Sequence, residues 1–492
     1  MKRVAGIAIV ITFALNLYAQ DANDYCKRGY EKYAIGDYKG AMSEYDKALE
    51  LNPGIAEAYD YRGFAKLTLG DHKGARADYD KALELNPDYT HAYLFRAVAK
   101  ELLEDYKGAI ADFDKALQAY PDCPDAYLFR GVAKRGIGDY EGAITDYDKA
   151  IELKPDDAKA YCNRSDAKYR LGDYAGAIAD SDKAIKLNPN LAEAYSNRGD
   201  AKDNIGNYKG ARADSDKAIN LNPKLADAYS NRAAAKNGLG DYKGALSDCD
   251  KAVKLEPELA EAYSNRGRAK CYLGDYKGAL SDCDTAIKLN PKLAEAYSNR
   301  AATKNGLGNH KDALADCDKA IELNPNLAEA YNNRGISKVA LGGSKGEMED
   351  FDKAIKLNPN YAEAYNNRGA VKDADGDHEG AIKDFDKAIK LNPRFAEAYN
   401  NRGSAKHWLG DYRGAIADFD KAIALNPKFA EAYANRSYAK EKLNDAIGTK
   451  TDRDAAAKLS TAYEIEQLGR GTQSIIREIS KTLEDAGWKM PK

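Results

Sequence analysis

Proline recurs at positions 53, 87, 121, 155, 189, 223, 257, 291, 325, 359, 393 and 427, and every interval is 34 residues. Twelve prolines in one register impose an internal repeat, which overrides the domain count that a chain of 492 residues would otherwise suggest. The unit reads approximately A-E-A-Y-x-N-R-G-x-A-K-x-x-L-G-D-Y-x-G-A-I-x-D-F-D-K-A-I-x-L-N-P. In the second copy, Ala56 to Tyr89, this pattern predicts two helices. The first runs from about Ala56 to Leu69 and stops at Gly70, which adopts the left-handed conformation that ends a helix. Asp71 offers a side-chain oxygen to cap the second helix. That helix continues through Leu85 and ends at Asn86-Pro87, because proline cannot continue the hydrogen-bond ladder. Pro87 also pre-sets the backbone for the next helix.

Small residues let the two helices approach: Gly63 in the first, Ala75 and Ala82 in the second. Tyr59, Tyr79, Leu83 and Leu85 supply apolar area. One helix pair cannot bury this face alone, so neighbouring units must stack on it, which predicts an all-α helix-turn-helix solenoid. Repeats start near 22, 56, 90, 124, 158, 192, 226, 260, 294, 328, 362, 396 and 430. With Gly at position eight, Ala at twenty and twenty-seven, an aromatic at twenty-four and Pro at thirty-two, the unit resembles the tetratricopeptide repeat family over residues 22 to about 445. The resemblance implies antiparallel helix pairs stacked into a right-handed superhelix, with first helices lining a concave groove for partner peptides.

Two positions depart from the usual family pattern. All thirteen copies carry Arg at position seven, from Arg28 to Arg436, and Lys at position eleven, from Lys32 to Lys440. Both lie on the side of the first helix that turns toward its partner helix. Position seven then meets position twenty-three, nearly always Asp, so Arg198 is expected to meet Asp214 and Arg232 to meet Asp248. An ion-pair ladder is favoured over an anion-binding surface.

At 100° per residue, positions two, five, six, nine, twelve and thirteen face away from the partner helix. In the second to fourth repeats they are apolar: Tyr61, Phe64 and Leu67, then Leu94, Phe95, Val98 and Leu102, then Leu128, Phe129 and Val132. Such a patch marks a binding surface on a water-exposed face, unless these residues pack on one another. From the fifth repeat onward, position six is Asn: Asn163, Asn197, Asn231, Asn265, Asn299, Asn333, Asn367, Asn401 and Asn435. These amides either bond an extended peptide backbone or form a solvated lining. A carboxylate clamp of the kind some members use for chaperone tails is not expected. Position two is typically acidic here (Glu193, Glu261, Glu295), and acidic groups repel a carboxylate.

The tenth repeat departs from the pattern. Gly343 replaces the capping Asp, Ser344 the aromatic and Glu347 the close-packed Ala, which predicts loosened packing. Amphipathic stretches over 451–468 and 472–488 are expected to cap the last exposed face, within a C-terminal region of capping helices at 446–492. At the other end, Lys2 and Arg3 precede an apolar run from Val4 to Leu15, with a cleavage position after Ala19. This is the layout of a secretory signal at 1–19, too short to span a bilayer comfortably. The chain is therefore expected to be exported, to the periplasm, cell envelope or extracellular space, with membrane attachment only if this segment is retained as an anchor.

Basic and acidic side chains number 75 and 78, for a net charge of -3, with no concentrated basic face of the kind duplex DNA rewards. Nucleic acid is therefore not an expected partner. Seven cysteines show no metal-ligand spacing. Cys249, Cys283 and Cys317, 34 residues apart, read as buried small hydrophobes replacing an aromatic. The acidic run Asp373-Ala374-Asp375-Gly376-Asp377 lacks the glycine and terminal Glu of a calcium loop and reads as a helix end and cap. Nearly every Asp, Lys and Arg has counterparts at the same repeat position, whereas a catalytic site needs a non-repeating cluster. The expectation is an exported scaffold that binds other proteins or peptides, with no cofactor, no metal and no small-molecule substrate. A self-assembling envelope protein and, more remotely, an enzyme with its site in the C-terminal tail are the alternatives.

Overall fold

The computed structural model describes residues 21–342 and 346–460, and their regular structure is entirely helical. The expected secretory signal at 1–19, Gly343, Ser344 and everything beyond residue 460 lie outside them. The chain divides into two compact units, Met1–Gly240 and Asp241–Lys492.

The first unit begins with a helix over 21–34 and continues as alternating first and second helices to Ala226–Gly238. Its second repeat shows how the sequence sets each turn. The first helix spans Ala56–Thr68 and the second His72–Leu85. Between them Gly70 has φ +84°, a conformation that costs a residue with a Cβ about 1 kcal/mol or more. Asp71 then caps the second helix, accepting a bond from the Gly74 amide at 2.9 Å. A Cβ on Gly74 would lie 2.1 Å from the Asp71 carboxylate, so the cap itself requires glycine three residues on.

Alanines form the packing surface. Ala75, Ala82, Ala92 and Ala99 are fully buried around Tyr79, and a Cβ at Gly63 would press on the Tyr79 ring at 3.1 Å. The same aromatic position holds Tyr45, Phe113 and Tyr147, all fully buried. In the fifth and sixth repeats it becomes Ser181 and Ser215, also fully buried. There polar pairing substitutes for aromatic area: Ser165 Oγ lies 2.7 Å from Ser181 Oγ and 2.8 Å from the Ala177 carbonyl.

The second unit starts at Tyr242–Leu255 and repeats the same alternation. Cys249, Cys283 and Cys317 are fully buried free thiols, as expected of small core hydrophobes. Phe351, Phe385 and Phe419 then restore the aromatic. The second helix of the tenth repeat is shortened to 11 residues, Glu347–Leu357, against 14 in His310–Leu323 and His378–Leu391. Its N-cap is Gly346 at φ +135°, with no side-chain cap bond. Glu347 is half-buried, and its Oε2 has no hydrogen-bond partner among the described residues. The defect is confined to the first turn, because Phe351 and Ala354 keep their buried places.

The C-terminal expectation needs correction. A helix runs over 446–460, starting five residues before 451, and it is the second helix of a thirteenth repeat. Asp445 caps it at the Gly448 amide (2.9 Å), and Asp452 takes the position-twenty-three role opposite Arg436. The solenoid therefore continues past 445. No helix among the described residues is long and apolar enough to cross a membrane.

Candidate binding groove

Within each unit, first helices of neighbouring repeats touch one another directly, as Ala192–Asn204 touches Ala226–Gly238 and Ala260–Tyr272 touches Ala294–Gly306. Second helices do not approach each other this closely. The first-helix side is therefore the inner, more tightly curved face of each unit. Beneath it lies a charged frame. Arg300 donates through Nε and Nη2 to Asp316 at 2.8 and 2.6 Å, Lys304 adds a 2.7 Å contact, and Asp316 is nearly buried. The hydrogen bond to Asp316 holds the Arg300 guanidinium well above its ordinary pKa. Arg198 with Asp214 shows the expected pairing.

The third arm of the guanidinium does something the sequence reading missed. Arg300 Nη1 reaches Asp284 of the preceding repeat at 2.7 Å, and Arg198 reaches Asp182 at 2.6 Å. The signal was present in the sequence, as a second Asp two residues after the first, at position twenty-five of every repeat through Asp420. Each arginine thus joins two repeats, and Tyr297 lies under the Arg300 guanidinium at 5.5 Å. These arginines are engaged in structure, which supports the ion-pair ladder.

The asparagine ladder has a defined structural use. In the first unit, Asn197 Nδ2 donates to the Cys162 carbonyl at 3.1 Å, and Asn231 Nδ2 reaches Ser196 Oγ at 3.2 Å. In the second, Asn299 and Asn333 donate to Ser264 and Ser298, and Asn367, Asn401 and Asn435 to Asn332, Asn366 and Asn400, at 3.0–3.2 Å. Each bond spans 35 residues and stitches a repeat to the one before it. The residue at position five of the preceding repeat, usually Ser or Asn and Cys162 in one case, supplies the acceptor.

The apolar candidates divide in two. Leu128 is a correction: at 6% exposure it belongs to the core around Tyr147 and does not see water. Leu94, Val98 and Phe129 pack against the core around Phe113, Leu67 and Phe95 against that around Tyr79, and Val132 beside Leu128. A single-helix projection misplaced positions five and six, because the adjoining repeat covers that side. Tyr61 and Phe64 form an edge-to-face aromatic row, with Tyr61 5.7 Å from Tyr30 and Phe64 4.5 Å from Phe95. Leu102, at 49% exposure, remains open.

Positions nine, twelve and thirteen carry the remaining inner-face chemistry. In the first unit Arg135 pairs with Asp166 at 2.8 Å, across one repeat boundary. In the second, a hollow is lined by Arg268, Tyr272, Asn299, Glu329, Asn333 and Tyr361, contributed by successive repeats. Tyr272 stacks on Tyr242 at 4.4 Å. Burial pushes the Glu363 carboxyl up; its own backbone amide and Arg268 oppose this, while Glu329 and Glu397 add to it. The Asp373–Asp377 segment serves as helix end and cap: Asp377 accepts from the Gly380 amide and Asp373 pairs with His378.

Tetratricopeptide repeat models match residues 26–90, 62–124, 192–225, 226–259, 260–293, 294–327, 362–395 and 396–429, and a TPR repeat model matches 135–172 and 165–202. No curated protein sequence matches the chain. In fold it is similar to a chain of the crystal structure of the APC/C hetero-tetramer Cut9–Hcn1, at 16% identity and a TM-score of 0.67, covering 92% of this chain and 96% of that one. The unit of 34 residues, its packing alanines and these matches place the chain in the tetratricopeptide repeat family.

Proposed function

We propose that this protein is an exported scaffold that binds segments of other proteins along the first-helix faces of its units. The observation that carries the reading is the hollow at Arg268, Tyr272, Glu329 and Tyr361, where side chains from successive repeats converge on one face. Aromatic walls with a few charged groups suit recognition of an extended chain. The Cut9–Hcn1 structure, itself a hetero-tetramer, shares the fold, and tetratricopeptide proteins bind other proteins. Groove positions nine, twelve and thirteen vary from repeat to repeat over a constant charged frame, as a surface shaped for partner segments would. Export rests on Lys2, Arg3 and the apolar run to Leu15.

A photo-crosslinking residue placed at Leu102, Tyr272 or Trp408, all exposed on first helices, tests this against exposed second-helix positions Ala77 and Ser281. Adducts with other proteins should form from the first-helix set. Adducts from the second-helix set alone would refute the groove. Adducts with further copies of the same chain would favour the self-assembling alternative. Fractionation of cells should place the chain outside the cytoplasm, and a cytoplasmic location would refute export.

A further inference from the structure

We propose that the inner face selects cationic segments, so that lysine and arginine side chains of a partner protein dock against the first helices of the third to sixth repeats. This rests on the peptide-binding reading above and names the partner's chemistry. Six charged side chains from four successive first helices share that face: Glu101, Arg135, Asp166, Arg170, Asp200 and Asp203. Both arginines converge on one carboxylate, with Arg135 2.8 Å and Arg170 3.7 Å from Asp166. Carboxylates outnumber guanidiniums there, so the face carries surplus negative charge. In the second unit acidic groups come from position two instead: Glu329 and Glu397 act on Glu363, and Arg268 opposes them.

Bulk composition does not explain this surplus, because the whole chain carries a net charge of only -3. Charges on the outer, second-helix face pair among themselves, as Lys81 with Glu84, Lys149 with Glu152 and Lys319 with Glu322, at 2.6–2.8 Å. The inner-face carboxyls respond to their surroundings. Burial, then Asp203 and Asp166, push Asp200 up to about 8, against Arg170 and a Tyr169 hydrogen bond. Burial also raises Glu101, against Arg135. A lysine ammonium or arginine guanidinium entering this face would displace the Asp200 proton and form charge-assisted hydrogen bonds. A partner carboxylate would be repelled.

The groups around Asp200 are Asp203 on its own helix and Asp166, Tyr169 and Arg170 on the preceding first helix. The following first helix carries Ala234, Asn237 and Gly238 at positions nine, twelve and thirteen, none of them titratable. Because Asp200 must lose its proton to attract a cation, affinity for a basic segment rises with pH. The rise is at most about tenfold per unit up to the Asp200 value and levels off above it.

The test uses the full chain and fluorescence anisotropy with short labelled peptides of alternating lysine and alanine, and of glutamate and alanine. The basic peptide should bind at least about tenfold tighter, with affinity falling as salt rises. An Asp200→Asn/Asp203→Asn variant, checked for unchanged helicity, should lose most of that preference and the pH dependence. If that variant does not fold, Glu363→Gln/Glu397→Gln makes the same test in the second unit. Equal or tighter binding of the acidic peptide overturns the inference. So does failure of the basic peptide while crosslinked partners still form at Leu102 or Tyr272, and that result leaves the scaffold reading standing. Absence of both peptide binding and crosslinked partners overturns both.

Discussion

Asp316 and Asp284 are two carboxylates held by the same arginine, but Asp316 takes two of its bonds and a Lys304 contact, Asp284 only one bond, and their burial differs. The Asp316 side chain is 8% exposed and that of Asp284 60% exposed. Asp316→Asn would leave Arg300 and Lys304, both largely covered, facing a neutral amide. Removing one partner of a buried pair costs about 3–5 kcal/mol when the other charge is stranded. Here the amide oxygen still accepts a bond and Arg300 keeps Asp284, so about 2–3 kcal/mol is expected. Asp284→Asn should cost only about 0.2–1 kcal/mol, because exposed pairs are screened by water. Solenoids open repeat by repeat, so a single global transition is a poor monitor. Hydrogen exchange followed by mass spectrometry on peptides covering Ala294–Leu323 reads the local opening energy directly. Loss of protection there should be far larger for Asp316→Asn. If the two variants agree within about 0.5 kcal/mol, or Asp284→Asn is the worse, burial does not set the weight of this network and the reasoning fails.

Other perturbations separate the remaining claims. The Tyr79 hydroxyl is buried with no hydrogen-bond partner among the described residues, so Tyr79→Phe should leave stability unchanged or raise it by up to about 1 kcal/mol in urea denaturation. Asn333→Ala removes a stitch to Ser298 and should cost about 1 kcal/mol, read as faster exchange in the ninth and tenth repeats with the seventh unaffected. Glu347→Ala should raise protection at the start of the shortened tenth-repeat helix, and unchanged exchange there would show that the glutamate is not the cause. The hydrogen bond from Lys32 outweighs burial and holds the Glu44 carboxyl below its ordinary 4.5. A lowered carboxyl stabilises the fold fully above that ordinary value and loses its contribution as pH falls through the lowered one. The first repeat should therefore loosen on acidification, and Glu44→Gln should flatten that dependence.

Much of this architecture could be read from one period. Gly70, Asp71 and Asn86-Pro87 mark local backbone events, which depend only on neighbouring residues, and they fall where the sequence puts them. Arg300 with Asp316 was legible for a related reason, since the two helices of one repeat face each other in any such hairpin. What escaped depends on the rotation between repeats. Asp284, the Ser298 acceptor and the covered side of Leu128 all lie across a repeat boundary, which a single-helix projection does not contain. Arg135, Asp166 and Asp200 escaped for a different reason. They occupy groove positions but do not recur with the period, and only the stacked first helices bring them together. The second helix of the thirteenth repeat reads as a cap because Thr449 and Arg453 stand where an alanine and the aromatic recur, although Asp452 keeps the register.

The central claim is that the first-helix faces hold the partner. Hydrogen exchange of the full chain, alone and with the protein it captures by crosslinking, tests this most directly. The account predicts slowed backbone amide exchange along Ala158–Arg170, Ala192–Asn204 and Ala260–Tyr272, with second helices such as Tyr174–Leu187 unchanged. Protection confined to the second helices would contradict it.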